Sequence, residues 1–459
     1  MNQSNKLNSP EANFLKTLFQ EFEKLSVCYA VMRNYEMLPN SVNGSDLDIL
    51  IEPEHEVLAR ACILTAIETA GGMPIGCVNT VGLFKIFAFG QNPNANDEWW
   101  GLRMDISVGV IYAGCSNMIN DSVWSNHVEE HNGVKVLSSD LAAMIGLVKD
   151  LLYNEVLSVR YLSDASVAAN NSKSWASILS ALSPMGEKVL DRIRMLCINN
   201  PDSSAVVKEA KLIRRNLEYR ALIDSPFMYF FNKGLYYGSR AARIIKPPGV
   251  MVAILGTDGS GKSTMIEAVS PVLMDATHGA LTVEHLRPRL LPALGSYRKN
   301  GTVEEGIVTD PHGATPSGYL VSMFRLAYYL VDYVLGYWLR VRPLISKSPT
   351  IFLFDRYAYD LLIDPKRLRI KLPACVLRIF TYLVPKPDLI ICLHGDPVVL
   401  TARKKELPLS EVRRQVDALI TFSKKEKKAV MVSTETTIDE ARDQILQALK
   451  STCKRLETT

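Results

Sequence analysis

"VAILGTDGSGKSTMIEAV", residues 252 to 269, opens as an apolar β-branched run, breaks into glycines and closes as a helix-forming stretch. The break reads Gly256-Thr-Asp-Gly-Ser-Gly-Lys262-Ser263 and satisfies G-x-x-x-x-G-K-[ST] in full. Glycines let the backbone turn its N–H groups inward onto phosphate oxygens, and a helix starting near Ser263 adds its positive end. In such a loop Lys262 reaches the β- and γ-phosphates and the Ser263 hydroxyl ligates Mg²⁺. Gly256, Gly259, Ser260, Gly261, Lys262, Ser263 and Thr264 are therefore the expected nucleotide-binding residues, with ATP and Mg²⁺ as cofactors.

Outward from this loop, near-continuous apolar runs alternate with helical ones: "VMVAIL", "LTVEHL", "TIFLFD", "DLIICL" and "AVMVST". Runs of that kind suit parallel strands covered on both faces, so residues 249–459 are expected to form a doubly wound α/β domain. "KPPG", 246–249, is a stiff non-helical joint and the expected boundary. Before it, 139–248 is almost wholly helical in pattern. Residues 1–138 mix a helical 11–25 with strand-like runs at 27–32, 46–52, 83–89 and 102–108, and a helix at 54–70 closed by Gly71-Gly72.

A net charge of +4 over 459 residues, without a long basic run, does not announce a nucleic-acid binder. The eight cysteines are scattered, with no CxxC pair, which suits reduced thiols and a cytoplasmic setting. The polar start "MNQSNKLNSPEAN" does not read as a secretory signal. "YLVSMFRLAYYLVDYVLGYWL", 319–339, is long enough to span a bilayer but carries Arg325 and Asp332 in its middle. A buried helix of a globular domain is expected there, with those two residues, seven apart, able to line a cleft.

"GTDGSGKST" resembles the loop of thymidylate kinases, where an acidic residue two after the first glycine faces the acceptor's sugar; Asp258 stands at that position. "IFLFDRYAYD" carries Asp355-Arg356-Tyr357, similar to the Asp-Arg-Tyr/His of that family. The resemblance implies that Asp355 organises Mg²⁺ or the acceptor hydroxyl and that Arg356 clamps an anionic acceptor. "PDLIICLHGDPVVLTARKKELP" resembles the family's strand and lid helix, making Arg403, Lys404, Lys405, Arg413 and Arg414 lid candidates, and the 434–437 loop falls where the family cradles adenine. The family's Arg-Glu-Pro-Gly-Gly is represented only by Arg287 and Pro288 in "HLRPRLLP". "DRYAYDLLIDPKRLR" also resembles thymidylate-kinase-like proteins of surface-polysaccharide synthesis. The expected activity is thus an ATP-dependent kinase acting on a nucleotide- or sugar-containing acceptor, with dTMP as the named alternative. Catalysis would rest on Lys262, Asp355, Arg356, Asp258 and Arg403.

A second constellation lies upstream. "NGSDLDILIE" places Asp46 and Asp48 two apart on one strand face, and Asp105 in "LRMDISV" can join them from a neighbouring strand. Three converging carboxylates suit a two-metal site. The element order and "SDLDILI" resemble nucleotidyltransferases, although Arg33 and Asn34 occupy the place of that family's Gly-Ser. The resemblance implies an α+β domain, with Asp46, Asp48 and Asp105 as metal ligands if the site is active. Otherwise the domain binds substrate or a partner. A nucleotide-binding regulator without turnover is the non-catalytic reading of the whole chain. Finally, "SPFMYFFNKGLYYGSRAARIIKPPG", 225–249, joins aromatics to Arg240, Arg243 and Lys246. It suits either a helix packed between domains or a peripheral membrane contact.

Overall fold

The computed structural model describes residues 9–93, 98–115, 117–292 and 317–458, so part of the polar N-terminal stretch lies outside the described residues. The chain divides into two compact units, Met1–Ala242 and Arg243–Thr459.

The first unit is built on a seven-stranded mixed sheet. Its elements run α1 (Pro10–Lys24), β1 (Tyr29–Arg33), β2 (Leu47–Ile51), α2 (Glu56–Thr69), β3 (Gly72–Thr80), β4 (Leu83–Gln91), β5 (Trp99–Val108), β6 (Val128–His131) and β7 (Val134–Leu137). Helices α3 (Ser139–Asn154), α4 (Val159–Asn170), α5 (Ser172–Ala181), α6 (Glu187–Asn199), α7 (Ser203–Asp224) and α8 (Pro226–Ile245) follow. The strand order is β3-β4-β5-β2-β1-β7-β6, with β2 parallel to β5, β1 parallel to β7 and the other pairs antiparallel.

Alternation along the strands sorts two cores. Tyr29, Val31, Leu47, Ile49 and Ile51 pack with α1 and α2. Ala30, Met32 and Leu50 point the other way, into a core with α3 to α7. The helical middle is thus a cover for the sheet's second face. Asp46 and Asp48 have the parity of Leu50 and face that cover.

The four strands expected in this unit are present, and β3, β6 and β7 are additions. β3 lies at the sheet edge, and its pairing with β4 shifts register between Pro74 and Gly76, which breaks the strand pattern in the sequence. β6 and β7 are four residues each, turned by Asn132 (φ 50°) and Gly133 (φ 77°).

The second unit has a five-stranded, wholly parallel sheet in the order β12-β11-β8-β10-β9. The strands are β8 (Val250–Gly256), β9 (Leu281–His285), β10 (Ile351–Asp355), β11 (Leu389–His394) and β12 (Ala429–Ser433), all expected from their apolar runs. Helices α9 (Lys262–Thr277), α10 (Tyr319–Gly336), α11 (Arg342–Lys347), α12 (Ala374–Leu383), α13 (Pro397–Arg403), α14 (Leu409–Lys425) and α15 (Ile438–Thr458) connect or follow them. Every residue of the central strand β8 is buried. The order reverses around β8, with β9 beyond β10 on one side and β11 on the other. In such sheets the crevice for a ligand opens at the carboxyl ends of the strands.

α10 corrects the expectation of a buried helix. It buries Ser322, Leu326, Asp332, Tyr333 and Gly336, while Leu320 is 82% exposed and Phe324 and Leu335 also face outward. No described helix is long and apolar enough to cross a membrane. Arg325 and Asp332 take different hydrogen-bond partners. Arg325 donates to the Leu368 carbonyl, whereas Asp332 accepts from Arg287 Nη1 at 2.7 Å and from the Leu291 N–H at 2.6 Å. Asp332 fixes the segment after β9 against α10. Asp332→Ala would leave the Arg287 guanidinium without its carboxylate and is expected to cost roughly 3 kcal/mol, read as a lower urea midpoint. The pair Arg287→Met with Asp332→Leu should recover most of it.

Candidate functional site

The loop after β8 turns through Gly259 (φ 80°) and Gly261 (φ 76°) before α9 starts at Lys262. A Cβ on Gly259 would stand 2.6 Å from the Leu400 carbonyl, so both conformation and space require glycine there. Lys262 is buried and donates to the carbonyls of Gly256 (3.0 Å) and Thr257 (2.8 Å). Burial, and then the neighbouring Arg356 charge, push its ammonium down to about 7. The Ser260 and Thr257 hydroxyls are buried atoms with no partner among the described residues.

A cavity of about 1050 Å³ opens over this loop. Gly259, Gly261, Lys262, Ser263 and Thr264 line it, whereas Gly256 and Ser260 are buried and are not among its lining residues. One wall carries Asp258, His285, Asp355, Arg356 and Arg367; the other carries Arg403, Lys404, Thr434, Thr436, Thr437 and Ile438. The 434–437 loop therefore reaches the cavity, and so do two of the lid candidates. Arg403 donates to the Thr434 carbonyl at 3.1 Å. Lys405, Arg413 and Arg414 are not among the lining residues; Arg414 pairs with Glu411 and donates to the Ile363 carbonyl.

Register sets the wall. Asp355 ends β10 opposite Ile254 of β8 and His285 of β9. His285 Nδ1 lies 3.1 Å from Asp355 Oδ2, while the buried Oδ1 has no partner among the described residues. Burial alone would raise the Asp355 carboxyl; the His285 hydrogen bond and the Lys262 and Arg356 charges outweigh it and hold the group below its ordinary value.

Arg356 differs from the open clamp the sequence suggests. It is buried with φ 71°, and its guanidinium donates to Asp360 and Asp258 at 2.7 Å each, and to the Gly256 carbonyl at 3.3 Å. Asp258 also takes Arg367, so both of its oxygens are committed to arginines. Burial works to raise the Asp258 carboxyl, but the two arginines prevail and keep it low. Arg367 is a second cation on the same wall. Neither Arg367 nor His285 was singled out from the sequence, although both lie within stretches quoted above.

The residues fit a nucleoside triphosphate with Mg²⁺. The two orphaned hydroxyls, the positive-φ glycines and the free Asp355 oxygen are unmet polar positions around a cationic helix start.

In the first unit Asp46, Asp48 and Asp105 do converge, with ligand atoms within 4.8 Å of one another. Arg33, Asp48, Asp105 and Lys85 lie in register on four neighbouring strands. Arg33 pairs with Asp48 and, at 3.1 Å, with Asp46. Asp105 is held by Lys85 and by Arg103 at 2.6 Å. Three carboxylates thus meet three paired cations, and Lys149 of α3, 3.1 Å from Ser107 Oγ, lines the same cavity of about 520 Å³. Burial, the largest effect, raises the Asp48 carboxyl, whereas Arg103 and Lys85 overcome burial to lower that of Asp105. Five of the six carboxylate oxygens are engaged by these cations, which compete with any divalent ion for the cluster. Arg103 was legible two residues before Asp105 on the same strand face. Lys149, Arg160 and Tyr161 come from the helical cover, whose sequence showed no chemistry.

No protein-family model matches the chain, and a comparison with curated proteins gave no match. Among solved structures, a thymidylate kinase from Ehrlichia chaffeensis is similar at 15% identity and a TM-score of 0.30, over 44% of this chain and 100% of that one. A thymidylate kinase from Candida albicans is similar at 16% identity and a TM-score of 0.32, over 44% and 92%.

Mn²⁺ titration followed by electron paramagnetic resonance should find no tight site in the nucleotide-free protein. Arg33→Met with Lys85→Met should create one, and adding Asp48→Asn should remove it again.

Proposed function

We propose that the second unit is an ATP-dependent phosphotransferase acting on a nucleotide- or sugar-containing acceptor. One observation carries this reading: Asp258, Gly259, Gly261, Lys262 and Ser263 of the Gly256–Ser263 loop line the same cavity as the strand-end carboxylate Asp355, and Lys262 is buried there. Ser263 and Asp355 would hold Mg²⁺, which when bound draws charge from the phosphate oxygens. Lys262 exchanges its contacts with the Gly256 and Thr257 carbonyls for the triphosphate. The acceptor oxygen attacks the γ-phosphorus, the bond to the β-phosphate oxygen breaks, ADP leaves and the acceptor proton is released. Arg367, positioned by Asp258, and Arg403 and Lys404 at the other wall stabilise charge on the transferring group. Arg356 acts through Asp258 as a positioning residue. We read the first unit as a binding module, because its carboxylates are neutralised by its own cations.

Purified protein with γ-labelled ATP, Mg²⁺ and a panel of dTMP, other nucleoside monophosphates, sugars and glycan-lipid extract tests this. Label should move to one acceptor class, and Lys262→Ala or Asp355→Asn should lower the rate roughly 10²–10³-fold. Label on dTMP would make the second unit a thymidylate kinase. Bound ATP with no transfer to any acceptor would sink the phosphotransferase.

The Lys262 value gives a second expectation. Below about pH 7 the ammonium is protonated folded and unfolded, and its burial penalty is fully present. As pH rises from about 7 towards the ordinary 10.5, the folded state sheds the proton first and the penalty is relieved. Triphosphate binding restores the charge, so above neutrality ATP binding should take up close to one proton and weaken with rising pH. Calorimetry in buffers of different ionisation enthalpy measures that uptake; Lys262→Met should abolish it.

A further inference from the structure

α8 is amphipathic the wrong way round for a globular protein. At 100° per residue, Tyr229, Asn232, Lys233, Tyr236, Ser239 and Arg243 share one side of the helix. That side is the one turned to protein. Lys233 pairs with Glu218 at 2.7 Å, and a Cβ on Gly114 would stand 2.9 Å from the Asn232 carbonyl. The opposite side collects Phe227, Phe230, Phe231, Tyr237, Ile244 and Ile245, with Gly234, Gly238, Ala241 and Ala242 between them. Phe227 is 76%, Phe230 66% and Ile245 77% exposed, and no residue of the helix is buried. A helix that packs by its polar side and presents phenylalanines to solvent is a helix with an unmet apolar partner.

Charge identifies the partner. Residues 225–249 hold no acidic residue; of their four cations Lys233 and Arg243 lie on the side turned to protein, which leaves Arg240, and Lys246 just past the helix end, for the partner. Arg240 stacks over Tyr236, its guanidinium 4.7 Å from the ring centre, at the border between the two sides. Long cationic side chains at the rim of an apolar stripe can reach headgroup phosphates while the stripe enters the acyl boundary. We infer that the outward face of α8 docks the protein on an anionic lipid bilayer, the helix lying in the plane of the headgroups. With no described helix able to span, the attachment is peripheral and reversible. It is independent of which acceptor is phosphorylated.

Flotation of the full-length protein with vesicles of phosphatidylcholine alone, or mixed equally with phosphatidylglycerol, tests this. The protein should float with the mixed vesicles at least about tenfold better than with phosphatidylcholine alone, and less as salt is added. Phe230→Glu with Phe231→Glu should lower the vesicle-bound fraction about tenfold without moving the thermal midpoint, because both side chains are exposed. Equal binding to both vesicle types would overturn the anionic-lipid assignment. So would no binding by the wild type, whether monomeric or a dimer by light scattering that the Phe230/Phe231 variant dissociates, since a second copy would then cover the face.

Discussion

A buried guanidinium holds the second unit's site together. Arg356 follows directly on the strand-end Asp355, in a positive-φ conformation that turns its side chain back under the loop. From there it ties Asp360 in the following turn to Asp258 and the Gly256 carbonyl. The ends of β8 and β10 are thereby fixed to each other by charge-assisted bonds in a setting that excludes water, where each is worth more than at a surface. Its positive charge also sits close to Lys262 and adds to the burial that destabilises the ammonium. The same arginine thus shapes the loop and makes it hungry for anionic ligand. A lysine at 356 would carry the charge but lack the fork that meets Asp258, Asp360 and a carbonyl together.

The fold of the second unit was legible because its signals are local and repeated. Five apolar runs, each long enough for a covered strand, alternate with helical segments, and all five became strands. The first unit was less legible where pairing is irregular. β3 hides behind Pro74 and Gly76, and the β6–β7 hairpin offers only four residues a side. Its Asn132-Gly133 turn was the one available cue. For α10 the failure was of another kind. Apolar content marked the helix, but which side would be covered depends on neighbours that periodicity does not name.

Site residues divide along the same line. Those within a contiguous motif, from Gly256 to Thr264, could be read directly. Arg367 and His285 could not, because their approach to Asp258 and Asp355 is made by the sheet's register and the turn after β10. Arg356 shows a subtler gap: it lines the cavity, but the sequence could not say that two aspartates would consume its donors.

The two carboxylate sites show why residue identity alone underdetermines chemistry. Asp105 and Asp355 each stand on a strand that runs beside its neighbour in parallel, and each is buried enough that desolvation would raise it. Asp105 meets Lys85 and Arg103 at once, both presented by the same sheet face, and its charge is spent within the protein. Asp355 meets one imidazole on one oxygen and keeps the other open towards the loop. A lone pair left unmet in a buried position is costly, and a protein retains that cost where a ligand can relieve it. The first unit relieves it internally, with Arg33 and Lys85 completing a cation–anion–anion–cation row across four strands. That row sets the protein's own cations in competition with any divalent ion for these carboxylates.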